Sequence, residues 1–151
     1  MPPNWVEVLA VTPKESMEGL VSILPATEVD NPSPMAKKFK ADWKAKYGDW
    51  STASLIWINA FYAFVEAIKK ADSLDPQVVA DVLSTKGLDW ESPNGKAMLV
   101  KRPDLKADRF CDICAQLDFS IYKSGEIKYL GTVSAEESLK ANQTAFGGQW
   151  K

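Results

Sequence analysis

Histidine is missing from all 151 residues of this chain. Its absence excludes Ser-His-Asp and Cys-His nucleophilic catalysis, histidine general bases and nearly every zinc site built on imidazole. Cysteine is scarce: Cys111 and Cys114 stand alone, without the second pair a structural zinc would want. Excess charge of either sign is also lacking. A formal net charge of -2 gives no electrostatic reason to expect nucleic acid or an acidic membrane surface as partner. The uncharged stretch from Ser51 to Val65 falls short of the roughly 20 apolar residues that span a bilayer. At the start, Met1 is followed by Pro2, Pro3, Asn4 and Trp5, with neither the basic nor the apolar region of a secretory signal.

What is present suits a globular chain. Hydrophobic residues make up 46% and charged residues 25%, within the range of one ordinary domain. Lys37, Lys38, Lys40, Lys44 and Lys46 gather at helical spacing and read as a solvated helix face. Glu136 with Glu137, and Glu15 with Glu18, read as exposed helix or loop charges rather than a catalytic dyad. With no nucleophile–base pair and no metal cluster, the chain is expected not to be an enzyme. No catalytic residue, metal site or cofactor is assigned.

The segment Ser51–Ala71 carries the strongest signal. Leu55, Ile56, Trp57, Ile58, Phe61, Tyr62, Phe64, Val65 and Ile68 cannot share one helical stripe. A helix apolar around most of its circumference is expected to be buried on several sides. The other segments offer little to surround it, so the chain reads as a piece of something larger.

Cys111 and Cys114 form a Cys-x-x-Cys, a spacing that suggests redox or metal chemistry. Their context argues otherwise. Cys111, Ile113, Ala115, Leu117, Phe119 and Ile121 alternate strictly with Asp112, Cys114, Gln116, Asp118, Ser120 and Tyr122. This period of two predicts one strand with one buried face. Residues three apart on a strand point to opposite sides, so Cys111 is expected to face the core and Cys114 the polar side, as two structural thiols.

Along the chain, residues 1–18 are poorly defined; Trp5, Val6, Val8, Leu9 and Val11 fit a strand or a short helix. Gly19–Leu24 reads as a buried strand stopped by Pro25. A helix follows, with Ser33 as N-cap, Pro34 at its first position, an apolar stripe of Met35, Phe39, Trp43 and Tyr47, and Gly48 as its stop. After the Ser51 helix, Asp75 caps another that begins at Pro76, buries Val78, Val79, Val82 and Leu83, and ends at Gly87. Pro93, Asn94 and Gly95 mark a turn before Lys96–Val100, and residues 102–108 form a polar connector. Lys123-Ser124-Gly125 is a short hairpin loop returning through Glu126–Val133. The tail after Ala135 reads as a short helix and a frayed end with Gly147 and Gly148. The order is strand, three helices, then antiparallel strands.

That order and several local phrases resemble the C-terminal part of the type I periplasmic binding proteins, the receptors of branched-chain amino acid ABC transporters. Glu18-Gly19-Leu20-Val21-Ser22 looks like the family's crossover strand. Asn31 to Gly48, ending in Lys46-Tyr47-Gly48, is similar to its next helix. Asn59 to Pro76, with Ala67-Ile68 and the Asp75-Pro76 cap, resembles the helix and capped successor that follow. The hairpin around Lys123-Ser124-Gly125-Glu126-Ile127-Lys128 resembles its closing strands. The likeness runs from about Glu18 to Val133.

The resemblance implies an α/β fold: a partial type I periplasmic-binding-protein fold lacking the N-terminal portion of both lobes. It divides the chain into a crossover strand region (1–27), the helical part of one lobe (28–92), and a crossover with closing strands (93–151). Gly19 to Thr27 would be one crossover and Lys96 to Asp108 another. The implied role is the solute-binding component of an ABC importer for branched-chain amino acids or similar small solutes, present as a C-terminal fragment. Its location would be periplasmic or extracellular, and its partners a small-molecule solute, the permease and, through the uncovered Ser51 helix, a second copy in a dimer. The rivals are a ligand-sensing regulator of the same fold and an unrelated α+β interaction domain.

In such receptors solutes bind between lobes, near helix N-termini whose free N–H groups suit carboxylates. The resemblance places Trp50 to Trp57 beside the solute. Ser51, Thr52 and Ser54 would supply hydrogen bonds, and Trp50 and Trp57 an apolar wall. Read without the resemblance, Ser51 is an N-cap and Trp57 is packing.

Overall fold

The computed structural model describes residues 10–24, 33–48 and 57–146. Ala10 and Val11 are helical, and a 3-10 turn at Lys14–Met17 leads into the first strand. The elements that follow are β1 (Val21–Leu24), α1 (Pro34–Tyr47), α2 (Ile58–Ala71), α3 (Pro76–Thr85), β2 (Asp89–Ser92), β3 (Gly95–Arg102), β4 (Ala107–Ala115), β5 (Leu117–Lys123), β6 (Glu126–Val133) and α4 (Ala135–Ala145). The strand–helices–strands order is as expected, with β2 as an addition. None of the described helices is long and apolar enough to cross a membrane.

Local signals place most of these elements. Ser33 Oγ accepts from the Ala36 N–H at 3.1 Å, Pro34 opens α1, and Gly48 closes it at φ 85°. Asp75 Oδ1 accepts from the Gln77 and Val78 N–H groups at 2.8 and 3.2 Å, with Pro76 at the first turn of α3. Ser134 and Glu137 form a reciprocal capping box at the start of α4. Between β5 and β6, Ser124 and Gly125 take φ values of 56° and 82°, the pair of positive angles that a two-residue hairpin turn requires. The Glu18 carboxylate accepts from the Ser124 N–H, tying this turn to the start of the chain.

The six described strands form two sheets, not one. β2-β3-β4 is antiparallel throughout, and β1-β5-β6 is a second antiparallel sheet. The first has helices on both faces. On one side Ala63 and Ala67 of α2, small residues one turn apart, bring that helix close to Val79 and Val82 of α3 and to Leu88, Trp90 and Ala97. On the other side Val100 and Cys114 pack with Met98 and with Leu139 of α4. Ala97 pairs with Ala115 and Met98 with Cys114, which fixes the face each residue takes.

Several expectations are corrected here. The alternating run from Cys111 to Tyr122 is not one strand: Ala115 ends β4 in one sheet, and Leu117 begins β5 in the other. The faces also differ from expectation, because helices cover both: Ile113 and Ala115 pack toward α2 and α3 as expected, and Cys114 packs toward α4 on the side expected to be polar. Cys114 is 2% exposed while Cys111 is open to solvent, both as free thiols. Cys114 is buried by α4, and Cys111 lies at a β-bulge. Val100 pairs with Asp112 and Lys101 with Phe110, so Cys111 is the extra residue with no partner across the strand. Among the described strands β1 lies at the edge of its sheet, and Val21 and Ile23 are exposed rather than buried. Val78 is exposed on α3, where only Val79 and Val82 are fully buried. The α2 helix is not covered on several sides by the described residues: Phe61 is 62% exposed and Phe64 lies open beside it. Residues 96–108 do not pass between sheets; they run from β3 into β4 inside one of them.

Candidate functional site

Of the five residues expected to line a solute, Trp50, Ser51, Thr52 and Ser54 lie outside the described residues. Trp57 is described. It sits at the threshold of α2 with helical backbone angles, makes no side-chain cap, and is 74% exposed. Its carbonyl accepts the Phe61 N–H at 3.0 Å. An exposed tryptophan one turn before an exposed phenylalanine is apolar surface turned to solvent, not the packing that the plainer reading of Trp57 requires. Core packing begins beside it, at the buried Ile58.

No sequence pattern points to the residue that anchors this end of α2. Ser92 is fully buried, and its hydroxyl donates to Asn59 Oδ1 at 2.7 Å. The same oxygen accepts the Asn94 N–H at 3.0 Å and lies 3.3 Å from the Gly95 carbonyl. One hydroxyl thus joins the first turn of α2 to the β2–β3 turn. Ser-Pro-Asn-Gly at 92–95 signals a turn in the sequence, but its hold on Asn59 depends on tertiary contact.

Beyond that turn lies the passage between the sheets. Gln116 is the single residue between β4 and β5. Its N–H donates to the Lys96 carbonyl at 2.7 Å, and its side-chain nitrogen donates to Asp118 Oδ1 at 3.4 Å. Asp118 also accepts from the Thr132 hydroxyl, which is 2.6 Å from Tyr129. Asp118 is 3% exposed, and burial raises its pKa above the ordinary carboxylate value, more than the Thr132 and Gln116 bonds lower it. Ser22 on the neighbouring strand is buried too, and its hydroxyl has no hydrogen-bond partner among the described residues.

Two further charged features are structural in character. An open depression of about 320 Å³ is lined by Glu66, Lys69, Lys70, Leu88 and Asp89. It lies toward the opposite end of α2 from Trp57, and its charged, solvated walls do not suit an aliphatic solute. Arg102 forms ion pairs with Asp104 and Asp112, each at 2.7 Å, and cross-braces the β3–β4 connection. Its hydrogen bonds to Asp104 hold that carboxylate below the usual range. Glu137 is engaged in the capping box and Glu136 is held below its ordinary value mainly by local backbone hydrogen bonding, so the pair serves a helix start.

A profile of the periplasmic binding proteins matches residues 2–109. The chain belongs to the periplasmic binding protein family. A solved structure of a leucine-binding protein, LivK, from Thermotoga maritima is similar in fold, with a TM-score of 0.50 at 21% identity. That likeness covers 82% of this chain and 33% of the LivK chain. The chain therefore spans about a third of this solved relative and carries a partial periplasmic-binding-protein fold. No curated protein sequence matches it.

Proposed function

We propose that this chain serves as the solute-binding component of an ABC importer for branched-chain amino acids or similar small solutes, contributing a C-terminal portion of the two-lobed receptor. The observation that carries this reading is the family match over residues 2–109. Supporting it, the α2 threshold presents an exposed Trp57 and a helix start, the combination that suits an aliphatic side chain beside a carboxylate. In this reading Trp50, Ser51, Thr52, Ser54 and Trp57 form one wall of the cleft, and the chain binds rather than transforms its ligand. The location is periplasmic or extracellular, and the membrane partner is a permease. The division at 1–27, 28–92 and 93–151 follows the same reading, with the crossover moved from 96–108 to Gln116.

Self-association belongs to the proposal. Trp57, Phe61 and Phe64 leave a continuous exposed stripe on α2. A two-fold pairing with a second copy covers it with the fewest new surfaces. Sedimentation equilibrium at micromolar concentration should return a dimer, and a clean monomer refutes this part.

Calorimetry tests the cleft. Titration of the full-length protein with leucine, isoleucine and valine should give saturable heat with at least one of them. Ser51→Ala and Trp50→Ala should each weaken binding more than tenfold, about 1.4 kcal/mol, with the melting transition kept. Normal binding by both variants moves the wall elsewhere. No heat from any of a panel of amino acids with the full-length protein overturns the solute-binding reading.

A further inference from the structure

Gln116 occupies an unusual position. The chain leaves one sheet at Ala115 and enters the other at Leu117, so this residue alone carries the turn between them. Its backbone N–H is held by Lys96 in β3. Its side chain lies against Gly95, where φ is 94° and an added Cβ would sit 2.5 Å from the Gln116 Cδ and 2.6 Å from its Oε1. The far end of the same side chain reaches Asp118 in the other sheet. A residue held by one sheet through its backbone and packed side, and by the other through its amide, cannot change its torsions without losing one of those contacts.

We infer that Gln116 is a positioning residue: its amide, seated on Gly95 and bonded to Asp118, latches the angle between the β2-β3-β4 and β1-β5-β6 sheets. The seat is not independent of α2. Gly95 and Asn94 are tied through the buried Ser92 hydroxyl to Asn59, two residues after Trp57. Displacement of the α2 threshold is thereby conveyed to the packed side of the latch. That last link rests on the proposed solute wall; the latch itself does not.

The chain supplies one label site for the test. Cys111 is exposed on β4 and Cys114 is buried, so a nitroxide reagent modifies Cys111 selectively. A second label at Lys123→Cys, at the exposed end of β5, reports on the other sheet. The extended chain between them limits the separation to roughly 40 Å, within reach of pulsed dipolar spectroscopy. Measured without solute, the parent protein should give one narrow distance distribution. Gln116→Ala removes both wedge and bond and should at least double its width, while the melting transition shifts little. Gln116→Met keeps the bulk against Gly95 and should fall between. If the folded Gln116→Ala protein keeps the parent width and mean, the latch is refuted. Should Gln116→Ala not fold, an unchanged Gln116→Met distribution refutes it equally, and a broadened one supports it. Because no ligand enters these measurements, a failure of solute binding would leave the distance distributions just as decisive for the latch.

Discussion

Exchange of each cysteine for serine separates two accounts of β4. Sequence alternation alone assigns Cys111 to the core, so Cys111→Ser would be the costly change. The structure reverses this. Cys114 is 2% exposed among Val100, Met98 and Leu139, while the bulge turns Cys111 into solvent. A hydroxyl in the Cys114 pocket costs about 1–3 kcal/mol by desolvation. The Ala135 carbonyl, 3.4 Å from Cys114 Sγ, accepts part of that loss back, so about 1–2 kcal/mol is expected. For a chain of this size each kcal/mol moves the melting point by about 2–4 °C, giving a drop of roughly 2–8 °C. Cys111→Ser should stay within about 0.5 kcal/mol of the parent.

The assay pairs urea unfolding with thiol titration. One thiol should react promptly with a disulfide reagent in buffer, and the second only in denaturant. Burial raises the Cys114 pKa against the opposing Ser138 and Asn142 hydrogen bonds, which depletes the thiolate and slows its reaction further. If Cys111→Ser lowers the urea midpoint more than Cys114→Ser, or both thiols react at one rate, the bulge assignment is wrong.

Asp118 sets a pH dependence of defined sign. Its folded pKa lies above the ordinary 3.8, so its favourable contribution is full below 3.8 and is lost as pH rises through the folded value. Asp118→Asn should therefore be at least as stable as the parent at pH 7, and urea midpoints measured down to pH 4 should show that advantage shrinking. Ser134→Ala removes the capping box of α4 and should cost about 1 kcal/mol in chemical unfolding; no loss would show that helix to be held by packing alone. Phe61→Lys puts a charge in the exposed α2 stripe and should convert a sedimenting dimer to monomer, whereas Ile23→Lys on β1 should not.

Local chemistry was legible in the sequence, and the choice of face was not. Ser33-Pro34 with Gly48, Asp75-Pro76, and Ser124-Gly125 each satisfy or free backbone groups within a few residues. Their outcome depends little on the rest of the fold. Alternation from 111 to 122 likewise revealed extended structure. It could not reveal that Gln116 divides the run between two sheets, because a strand that changes sheets keeps its period of two. Nor did it reveal the Cys111 bulge, which arises from the register against β3. β2 escaped notice because Asp89–Ser92 is short and carries one large apolar residue, Trp90, whose burial comes from α2 and α3. Of the candidate site, Trp57 alone lies within the described residues, exposed at the start of α2, while Trp50, Ser51, Thr52 and Ser54 fall outside them. The Ser92–Asn59 bond joins positions far apart in sequence, beyond the reach of any local pattern.

The β1-β5-β6 sheet shows why hydrophobicity alone would orient it wrongly. Ser22 pairs with Ser120, and these two share a buried face with Asp118 and Tyr122. Val21 pairs with Ile121 and Ile23 with Phe119 on the opposite face, where Val21 and Ile23 are exposed. Burying hydroxyls and a carboxylate while exposing β-branched residues opposes the usual transfer balance. Thr132 and Gln116 compensate Asp118 only in part, since its second oxygen has no partner among the described residues. The buried face is therefore mixed: Tyr122, 1% exposed, supplies its large side chain beside Ser22, Asp118 and Ser120. Gln116 adds one amide hydrogen bond to Asp118 at this face, a contact that the proposed latch uses to hold an angle between the sheets rather than to stabilise the fold. If the latch holds, the buried Asp118 that costs this sheet stability is also the acceptor that gives the passage between the two sheets its preferred geometry.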